Sequence, residues 1–291
     1  MKGTVLITGG AGSVGKLVAQ RLCDQGGRVR VFDLPQMDFS GLEDKKGIEI
    51  IRGDLTKPEA VEGAIQDVGA VIHLAAIMRP GSEKNRAVAF AVNVDGTTRL
   101  AEMLKRANPE AGFVFSSSVA TYGDTTGEKL PITIDQPQQA IDIYSESKIA
   151  AEKSLRQIYP GAVILRISGI SIPSIQSPPE VWPFMADQRI EFIHRDDVIK
   201  ALCTAFKEER AKGKVFNITG GSTWRTTGWA YVKDYFDLLG VSMDEARFME
   251  QPGWCDWYDT DASQDILHYQ NTPYQNHLDR LRREVERMME E

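Results

Sequence analysis

Short apolar runs alternate with segments of helical periodicity through the first 170 residues of this chain. The apolar runs lie at residues 5–7, 29–32, 48–51, 70–74, 112–115 and 162–166. Segments between them, such as 14–22 and 58–66, repeat apolar residues every three or four positions, which is the period of an amphipathic helix. Repeated strand–helix units with short apolar strands predict an α/β fold with a doubly wound parallel sheet.

The pattern changes after residue 168. A proline-containing stretch at 172–183 has little periodicity and is predicted to be a loop, with a closing lid as one interpretation of residues 171–190. Helices are expected at 194–207, 226–239 and 274–289, and a strand at 214–218. In the first half we also expect a short helical piece at 39–44, a helix capped by Thr56, and one long helix at 83–107. Residues 1–168 are therefore predicted to be one domain, and 169–291 a smaller region partly interleaved with it.

Three glycines stand between the first strand and the first helix. Gly9 permits a sharp turn, Gly12 lets a backbone approach a pyrophosphate, and Gly15 lets the helix pack closely on the strand. Ser13 and Val14 begin the helix, whose free N–H groups and dipole attract phosphate. Spaced glycines also occur in purely structural turns, so the motif is interpreted with its context.

An acidic residue ends the second strand, about twenty positions after the glycines. Asp33 can accept a hydrogen bond from an adenosine ribose and repel a 2′-phosphate, which favours NAD over NADP. The alternative is a turn residue at a strand end. Arg28 and Arg30 precede Asp33 and are poorer candidates for holding a 2′-phosphate. The first domain is therefore predicted to be a Rossmann-type NAD-binding domain, and the smaller C-terminal region to bind substrate.

Residue types suited to alcohol oxidation follow the fifth strand. Tyr144 and Lys148 are four positions apart, which places them on one face of a helix. An ammonium beside a phenol stabilises the phenolate, and a tyrosine of lowered pKa can exchange a proton with a secondary alcohol or ketone. A hydroxyl of the run Ser116–Ser118 can bind the same substrate oxygen. A surface helix pair is the alternative interpretation.

These motifs together resemble the extended short-chain dehydrogenases/reductases, and most closely their NAD-dependent epimerase/dehydratase family, of which UDP-glucose 4-epimerase is a familiar member. The resemblance is strong over residues 3–170 and weaker through 191–198. The residues that carry it are Thr8-Gly9-Gly10-x-Gly12-x-x-Gly15, Asp33, Asp54-Leu55, His73-Leu74-Ala75-Ala76, Asn93-Val94-Asp95-Gly96-Thr97, Ser116-Ser117-Ser118, Tyr122-Gly123 and Tyr144-x-x-x-Lys148.

The resemblance implies a role for each matching residue. Tyr144 would be the general acid/base, Lys148 would tune it and hold the nicotinamide ribose, and Ser118 would be the catalytic serine. Residues implied to contact NAD in addition to Tyr144 and Lys148 are Gly9, Gly12, Ser13, Val14, Gly15, Asp33, Asp54, Leu55, Leu74, Ala75, Ala76, Asn93 and Ser116. Asn93 would brace either the serine-bearing strand or the cofactor pocket; the alternative is a polar helix residue bonded to a neighbouring loop. His73 is expected to be a core or strand-end histidine and not a catalyst, and Ser117 is expected to support the turn.

The sequence departs from the nucleotide-sugar epimerases in its second half. The aromatic–Asn pair usual after the sixth strand is replaced by Ile167-Ser168-Gly169-Ile170, and only about twenty residues separate it from the Phe-Ile-His segment. We therefore expect a smaller substrate, or one held elsewhere, for example by Trp254–Tyr258. Candidate anion-binding residues, or else surface charges, are Arg79, Arg189, Arg195 and Arg225.

Composition limits the partners. The net charge is −7 without a basic stripe, which argues against nucleic acid, and no apolar run is long enough for a membrane span. Cys23, Cys203 and Cys255 lack metal-ligand spacing; Cys23 and Cys203 are expected to be buried, and a reducing cytoplasm without a signal peptide is predicted. A homodimer is implied by the resemblance, with helices near 83–107 and 142–158 forming a four-helix bundle.

Three functions remain open from the sequence. The first is an NAD-dependent epimerase/dehydratase-type oxidoreductase acting on a polar, sugar-like substrate through Ser118, Tyr144 and Lys148. The second is a simple NAD-dependent dehydrogenase or reductase of a small hydroxy compound that releases NADH. The third is a non-catalytic NAD-binding sensor, which would need none of these three side chains.

Overall fold

A computed structural model describes residues 3–290 of the chain. It contains a series of short strands joined mostly through helices. The strands are β1 (Thr4–Thr8), β2 (Val29–Asp33), β3 (Ile48–Arg52), β4 (Val68–His73), β5 (Gly112–Ser118), β6 (Val163–Ile167), β7 (Ile170–Ser171), β8 (Arg189–Glu191), β9 (Ile193–His194), β10 (Val215–Ile218) and β11 (Arg225–Thr227).

Helices follow most of the strands. They are α1 (Ser13–Asp24), α2 (Pro58–Ala64), α3 (Gly81–Lys84), α4 (Arg86–Phe90), α5 (Thr97–Ala107), α6 (Ile143–Ile158), α7 (Arg195–Ala205), α8 (Gly228–Leu239), α9 (Asp261–Leu267) and α10 (Tyr274–Glu290). A π-helical segment, Ala91–Gly96, joins α4 to α5. Short 3-10 turns complete the chain at 119–122, 209–211, 222–224 and 243–245.

The main sheet has seven strands in the order β10-β6-β5-β4-β1-β2-β3. β1 pairs in parallel with β2 and β4, β2 with β3, and β4 with β5. The order reverses direction between β1 and β4, which is the switch point where ligands bind in such sheets. The predicted Rossmann-type parallel sheet is confirmed. Two small two-stranded sheets, β11-β8 and β7-β9, were not predicted.

The chain forms two compact units. The first holds the residues up to Ser118, with Asp142–Leu165 and Ile199–Phe216. The second holds Val119–Ile141, Arg166–Val198 and the chain from Asn217 onward. The chain passes from the first unit into the second after Ser118, Leu165 and Phe216, and it returns to the first at Asp142 and at Ile199. Three of the five divisions fall inside β6, α7 and β10, and the other two follow Ser118, at the end of β5, and Ile141, shortly before α6.

Each unit has its own apolar core. In the first unit, side chains from the sheet such as Leu6, Val71 and Phe113 pack with Leu100 and Leu155 of the covering helices. In the second, Trp182, Phe184 and Phe236 centre an aromatic cluster. Strands buried on both faces explain why the apolar runs are continuous rather than alternating.

Several local predictions were wrong. Residues 39–44 form turns rather than a helix, and α2 begins after Lys57 with no side-chain cap from Thr56. The expected helix over 83–107 is interrupted: the side chain of Asn85 accepts a hydrogen bond from Val88 N, which starts a new helix there. Cys23 is only half-buried, whereas Cys203 is buried.

Candidate active site

The glycine turn has the geometry that its sequence predicts. Gly9 has a φ of +68°, and a Cβ there would lie 2.7 Å from Ala75 N. A Cβ on Gly15 would lie 2.3 Å from the Gly9 carbonyl oxygen, so α1 could not pack as it does. A Cβ on Gly12 would meet only that oxygen, at 3.2 Å, among the described residues. Packing among the described residues therefore constrains Gly12 less than it constrains Gly9 and Gly15.

Asp33 lies beside this turn. Its Oδ2 accepts a hydrogen bond from Ala11 N at 3.0 Å, and its Oδ1 accepts one from Leu34 N at 2.9 Å. The carboxylate is half-buried at the end of β2 and keeps further acceptor capacity. Arg30 is engaged elsewhere, with Glu49 and with the carbonyl oxygens of two residues near the end of α2.

The other predicted cofactor residues of β3 and β4 follow the ends of their strands. Asp54 is half-buried and its Oδ1 accepts a hydrogen bond from Thr56 N at 2.8 Å. The Leu55 side chain is buried in the core, close to Gly96. Leu74, Ala75 and Ala76 are half-buried. Ser13 is exposed at the start of α1, and Val14 beside it is half-buried.

His73 is a core histidine, as expected. It is fully buried, with Nδ1 2.5 Å from Thr8 Oγ1 and Nε2 2.8 Å from Thr97 Oγ1. Burial lowers the pKa of His73 to about 3, and the charge of Lys148 acts in the same direction. The ring is therefore neutral at physiological pH and joins β1, β4 and α5 through its two hydrogen bonds.

Asn93 lies in the π-helical segment and is almost fully buried. Its Oδ1 accepts a hydrogen bond from Ile77 N at 2.8 Å, and its Nδ2 donates to Ile77 O at 3.0 Å. Nδ2 also donates to Ser147 Oγ at 2.9 Å. Asn93 therefore fixes the loop after β4 and the helix that carries Tyr144, and these contacts do not involve the serine-bearing strand β5.

The serine, tyrosine and lysine of the predicted triad come together. A hydrogen bond joins the side chains of Ser118 and Tyr144. Lys148 Nζ lies 5.8 Å from the Tyr144 ring centroid and donates to the carbonyl oxygen of Ser116 at 2.8 Å. All three side chains are nearly buried, at 7% exposure for Ser118, 8% for Tyr144 and 3% for Lys148.

Burial and charge act in opposite directions on this cluster. The pKa of Tyr144 is raised, not lowered as the sequence analysis expects, because the effect of burial exceeds those of the Arg79 charge and the hydrogen bond to Ser118, which both lower it. Burial also lowers the pKa of Lys148 to about 8, against the effect of the Glu152 carboxylate. Glu152 in turn accepts a hydrogen bond from Ser117 Oγ, so that serine bonds α6 rather than supporting its own turn.

Three charged side chains meet at the N-terminus of α6, although two of them come from the chain before residue 85, and the sequence analysis did not place them in the catalytic site. Asp142 caps the helix by accepting from Ser145 N at 2.7 Å. Glu83 accepts from the N–H groups of Ile143 and Tyr144 at 3.0 and 3.1 Å. Arg79 Nη1 donates to Asp142 Oδ2 at 2.5 Å. The signal in the sequence is an Asp two positions before the tyrosine, which marks a helix cap.

The other candidate anion-binding arginines contact carboxylates within the second unit. Arg189 Nε lies 2.7 Å from Asp256 Oδ1, and Arg225 Nε lies 3.0 Å from Glu191 Oε2. Arg195 Nε lies 3.9 Å from Asp196. The Trp254–Tyr258 stretch is largely structural, because Tyr258 is buried in the core and Trp254 packs against it.

Residues 5–171 match the family model described as the NAD dependent epimerase/dehydratase family. The chain belongs to this family. The family is NAD-dependent. The glycine turn, the α1 N-terminus and Asp33 form a set of groups that fits a dinucleotide such as NAD. Among the described residues, no three His, Cys, Asp or Glu side chains are grouped as a metal site would require.

Two curated relatives show the range of this family. The chain is 34% identical over 161 residues to a "3 beta-hydroxysteroid dehydrogenase/Delta 5-->4-isomerase" of Mycobacterium tuberculosis, covering 52% of this chain and 41% of the relative. It is 36% identical over 152 residues to "UDP-glucose 4-epimerase" of Lactobacillus helveticus, covering 51% of this chain and 45% of the relative. The matched stretch thus spans less than half of either relative.

A solved structure has the same fold along nearly the whole chain. It is a short-chain dehydrogenase/reductase superfamily protein from Agrobacterium tumefaciens with bound NAD. The TM-score is 0.82 at 24% identity, with 98% of each chain covered. Over residues 3–290, none of the helices combines the length and apolar character that crossing a bilayer would demand.

Proposed function

We propose that this family member is an NAD-dependent epimerase/dehydratase-type oxidoreductase that acts on a secondary alcohol or ketone of a polar, sugar-like small molecule. The observation that carries the proposal is the hydrogen-bonded pair Ser118–Tyr144 with the Lys148 ammonium beside it. A buried phenol in contact with a hydroxyl and near a cation is suited to proton exchange with a carbinol oxygen. A sensor that only bound NAD would have no use for this arrangement.

In this mechanism the substrate hydroxyl binds between Ser118 and Tyr144. The Ser118 hydroxyl donates a hydrogen bond to the substrate oxygen, and the Tyr144 phenolate accepts its proton. Lys148 stabilises the phenolate through its positive charge. When bound, NAD supplies the hydride acceptor that no protein side chain provides. In the reverse direction Tyr144 returns the proton to the carbonyl oxygen.

NAD would be held mainly by backbone groups and one carboxylate. Gly12 and the first turn of α1, with Ser13, Val14 and Gly15, would receive the pyrophosphate, and Asp33 would bind the adenosine ribose. The strand-end residues Asp54, Leu55, Leu74, Ala75, Ala76 and Ser116 would line the remaining path, with Asn93 fixing the loop that follows β4. Lys148 would also hold the nicotinamide ribose.

A simple dehydrogenase that releases NADH is the second candidate. It is favoured by the short connection between β7, which ends at Ser171, and β8, which begins at Arg189. This connection leaves little chain for a nucleotide-sugar cradle. The name of the mycobacterial relative also includes a dehydrogenase activity. The two candidates share the same side chains and differ in whether the cofactor is retained between turnovers.

The deciding experiment is to denature the purified protein and identify any released nucleotide by mass spectrometry. An epimerase or dehydratase returns the hydride, so we expect NAD at close to one per chain. An empty site that binds added NAD reversibly would support the simple dehydrogenase. Release of NADP would contradict the role of Asp33.

Replacing Tyr144 by Phe tests the assignment of the base. The variant should retain NAD binding, because the ring stays, and should lose turnover by about 10² to 10⁴-fold, because only the proton-transfer group is removed. NAD binding is measured by calorimetry and turnover by NADH absorbance or product analysis across a panel of sugars and hydroxy acids. Full activity in Tyr144→Phe would show that the base has been assigned wrongly.

We also propose a homodimer through the surface formed by α4, the π-helical segment and α5, which together span most of 83–107, and by α6. Ala87 is exposed, and Phe90, Ala91 and Val94 are half-buried, so this apolar stripe is partly available to a partner. Sedimentation equilibrium measures the state directly. A monomer at micromolar concentration would contradict the proposal.

A further inference from the structure

Tyr144 has two cations near it, and the one closer to its ring is outside the Tyr-x-x-x-Lys motif. The guanidinium carbon of Arg79 lies 4.7 Å from the ring centroid, against 5.8 Å for Lys148 Nζ. An arginine that stacks on an aromatic ring keeps its charge at every pH that a protein tolerates. The Lys148 ammonium, with a pKa of about 8, does not.

Arg79 is fixed in this position by Asp142. Its Nη1 donates to Asp142 Oδ2 at 2.5 Å, and the other oxygen of Asp142 caps α6 through Ser145 N. Both charged side chains are mostly buried, with 27% exposure for Arg79 and 18% for Asp142. Because water screens such a pair only partly, both charges act on the neighbouring phenol.

We propose that Arg79 is a positioning residue for Tyr144, whose cation stabilises the phenolate form, and that Asp142 limits this stabilisation by neutralising part of the charge. The inference rests on the proposed role of Tyr144 as acid/base. On this proposal, the Arg79–Asp142 pair sets the pH range in which Tyr144 can act as an acid or a base. Lys148 adds a second positive charge that is lost as the pH rises past about 8.

Charged and polar groups from several elements surround Tyr144, and their effects on its pKa differ in sign. Arg79 lowers the pKa of Tyr144 and Asp142 raises it, although burial has the largest effect and raises it. Glu83 of α3 accepts the Tyr144 backbone N–H, and Lys148 lies one turn further along α6. β5 contributes the hydroxyl of Ser118. Removing Arg79 and removing the charge of Asp142 should therefore move the titration of Tyr144 in opposite directions.

The test is a pH titration of the protein labelled with ¹³C at the tyrosine ζ carbon, followed by NMR. The Tyr144 resonance is the one missing from Tyr144→Phe. We expect Arg79→Met to move its midpoint to higher pH and Asp142→Asn to move it to lower pH, since Asn preserves the helix cap. Arg86→Met is the matched control, because Arg86 also pairs with a carboxylate on α6 and stacks on a ring, but at the surface. It should leave the midpoint unchanged.

Opposite shifts in two neighbouring variants cannot come from a general loss of structure. An Arg79→Met midpoint at or below that of the unsubstituted protein would overturn the proposal, and so would an Asp142→Asn midpoint at or above it. The proposal would also be overturned if Tyr144 did not titrate in the unsubstituted protein or in either variant below the pH at which the protein unfolds. Circular dichroism measures that pH. The titration needs neither substrate nor turnover, so its failure is distinguishable from failure of the proposed reaction.

Discussion

At the scale of single residues, the three glycines of the first turn have different neighbours although their sequence spacing is regular. Gly9 and Gly15 are needed by the fold, since a Cβ at either would lie within 3 Å of backbone atoms. Gly12 has a φ of −69°, which any residue can adopt, and a Cβ there would meet a single described backbone atom, at 3.2 Å, so the fold constrains it less. The positions can therefore be separated by experiment.

Replacing Gly12 by Ala should lower the melting temperature less than Gly15→Ala does, and should weaken NAD binding by about tenfold or more, because the methyl group would occupy the space that we propose for the pyrophosphate. Gly15→Ala should lower the free energy of unfolding by roughly 1–3 kcal/mol, because backbone atoms must shift. Thermal unfolding and calorimetric titration with NAD measure the two effects. Wild-type affinity in Gly12→Ala would show that no pyrophosphate approaches this residue.

At the scale of elements, two carboxylate side chains fix the start of α6, the helix that carries Tyr144. The side chain of Asp142 and that of Glu83, which is distant in sequence, both accept hydrogen bonds from N–H groups of its first turn. These bonds fix the direction of the first turn, and Tyr144 is its second residue.

Glu83→Ala should therefore lower the free energy of unfolding by about 1–2 kcal/mol, since two N–H groups lose their acceptor but can regain water. Lys84→Ala, in the same short helix, is the control and should change it by less than about 0.5 kcal/mol. Urea unfolding followed by circular dichroism gives both values. Equal stability of the two variants would mean that the Glu83 contacts contribute nothing.

Elements set by local pattern could be predicted from the sequence, and those set by distant contacts could not. The glycine turn and the four-residue spacing of Tyr144 and Lys148 depend on neighbours along the chain. The π-helical segment around Asn93 accompanies hydrogen bonds of Asn93 to Ile77 and Ser147, which are 16 and 54 positions away. The Arg79–Asp142 pair joins residues 63 positions apart, so no window of sequence contains it.

At the scale of the whole molecule, three of the histidines should make stability depend on pH. Burial lowers the pKa of His73 to about 3 and those of His194 and His277 to about 4. An unfolded histidine has a pKa of about 6.5, so below that pH the unfolded chain binds more protons than the folded one. The contribution of these histidines to the free energy of unfolding should therefore be fully present above pH 6.5 and should decrease as the pH falls towards 4.

The measurement is the urea midpoint between pH 7 and pH 4.5, compared with that of His277→Gln, whose midpoint should fall less steeply with decreasing pH. His268→Asn is the control, because His268 is exposed and its φ of +48° suits asparagine. Its pH dependence should match that of the unsubstituted protein. A midpoint that stays constant over this range would contradict the effect of burial.

The division of the chain inside β6, α7 and β10 has a consequence for how such a protein can change. Evolution and engineering often recombine genes by exchanging whole domains at linkers, where few bonds are cut. Here a graft of the second unit from a relative would need junctions within two strands and a helix, and each junction would have to preserve the register of hydrogen bonds. New specificity is therefore more readily acquired by substitutions in place and by changes of loop length than by exchange of modules.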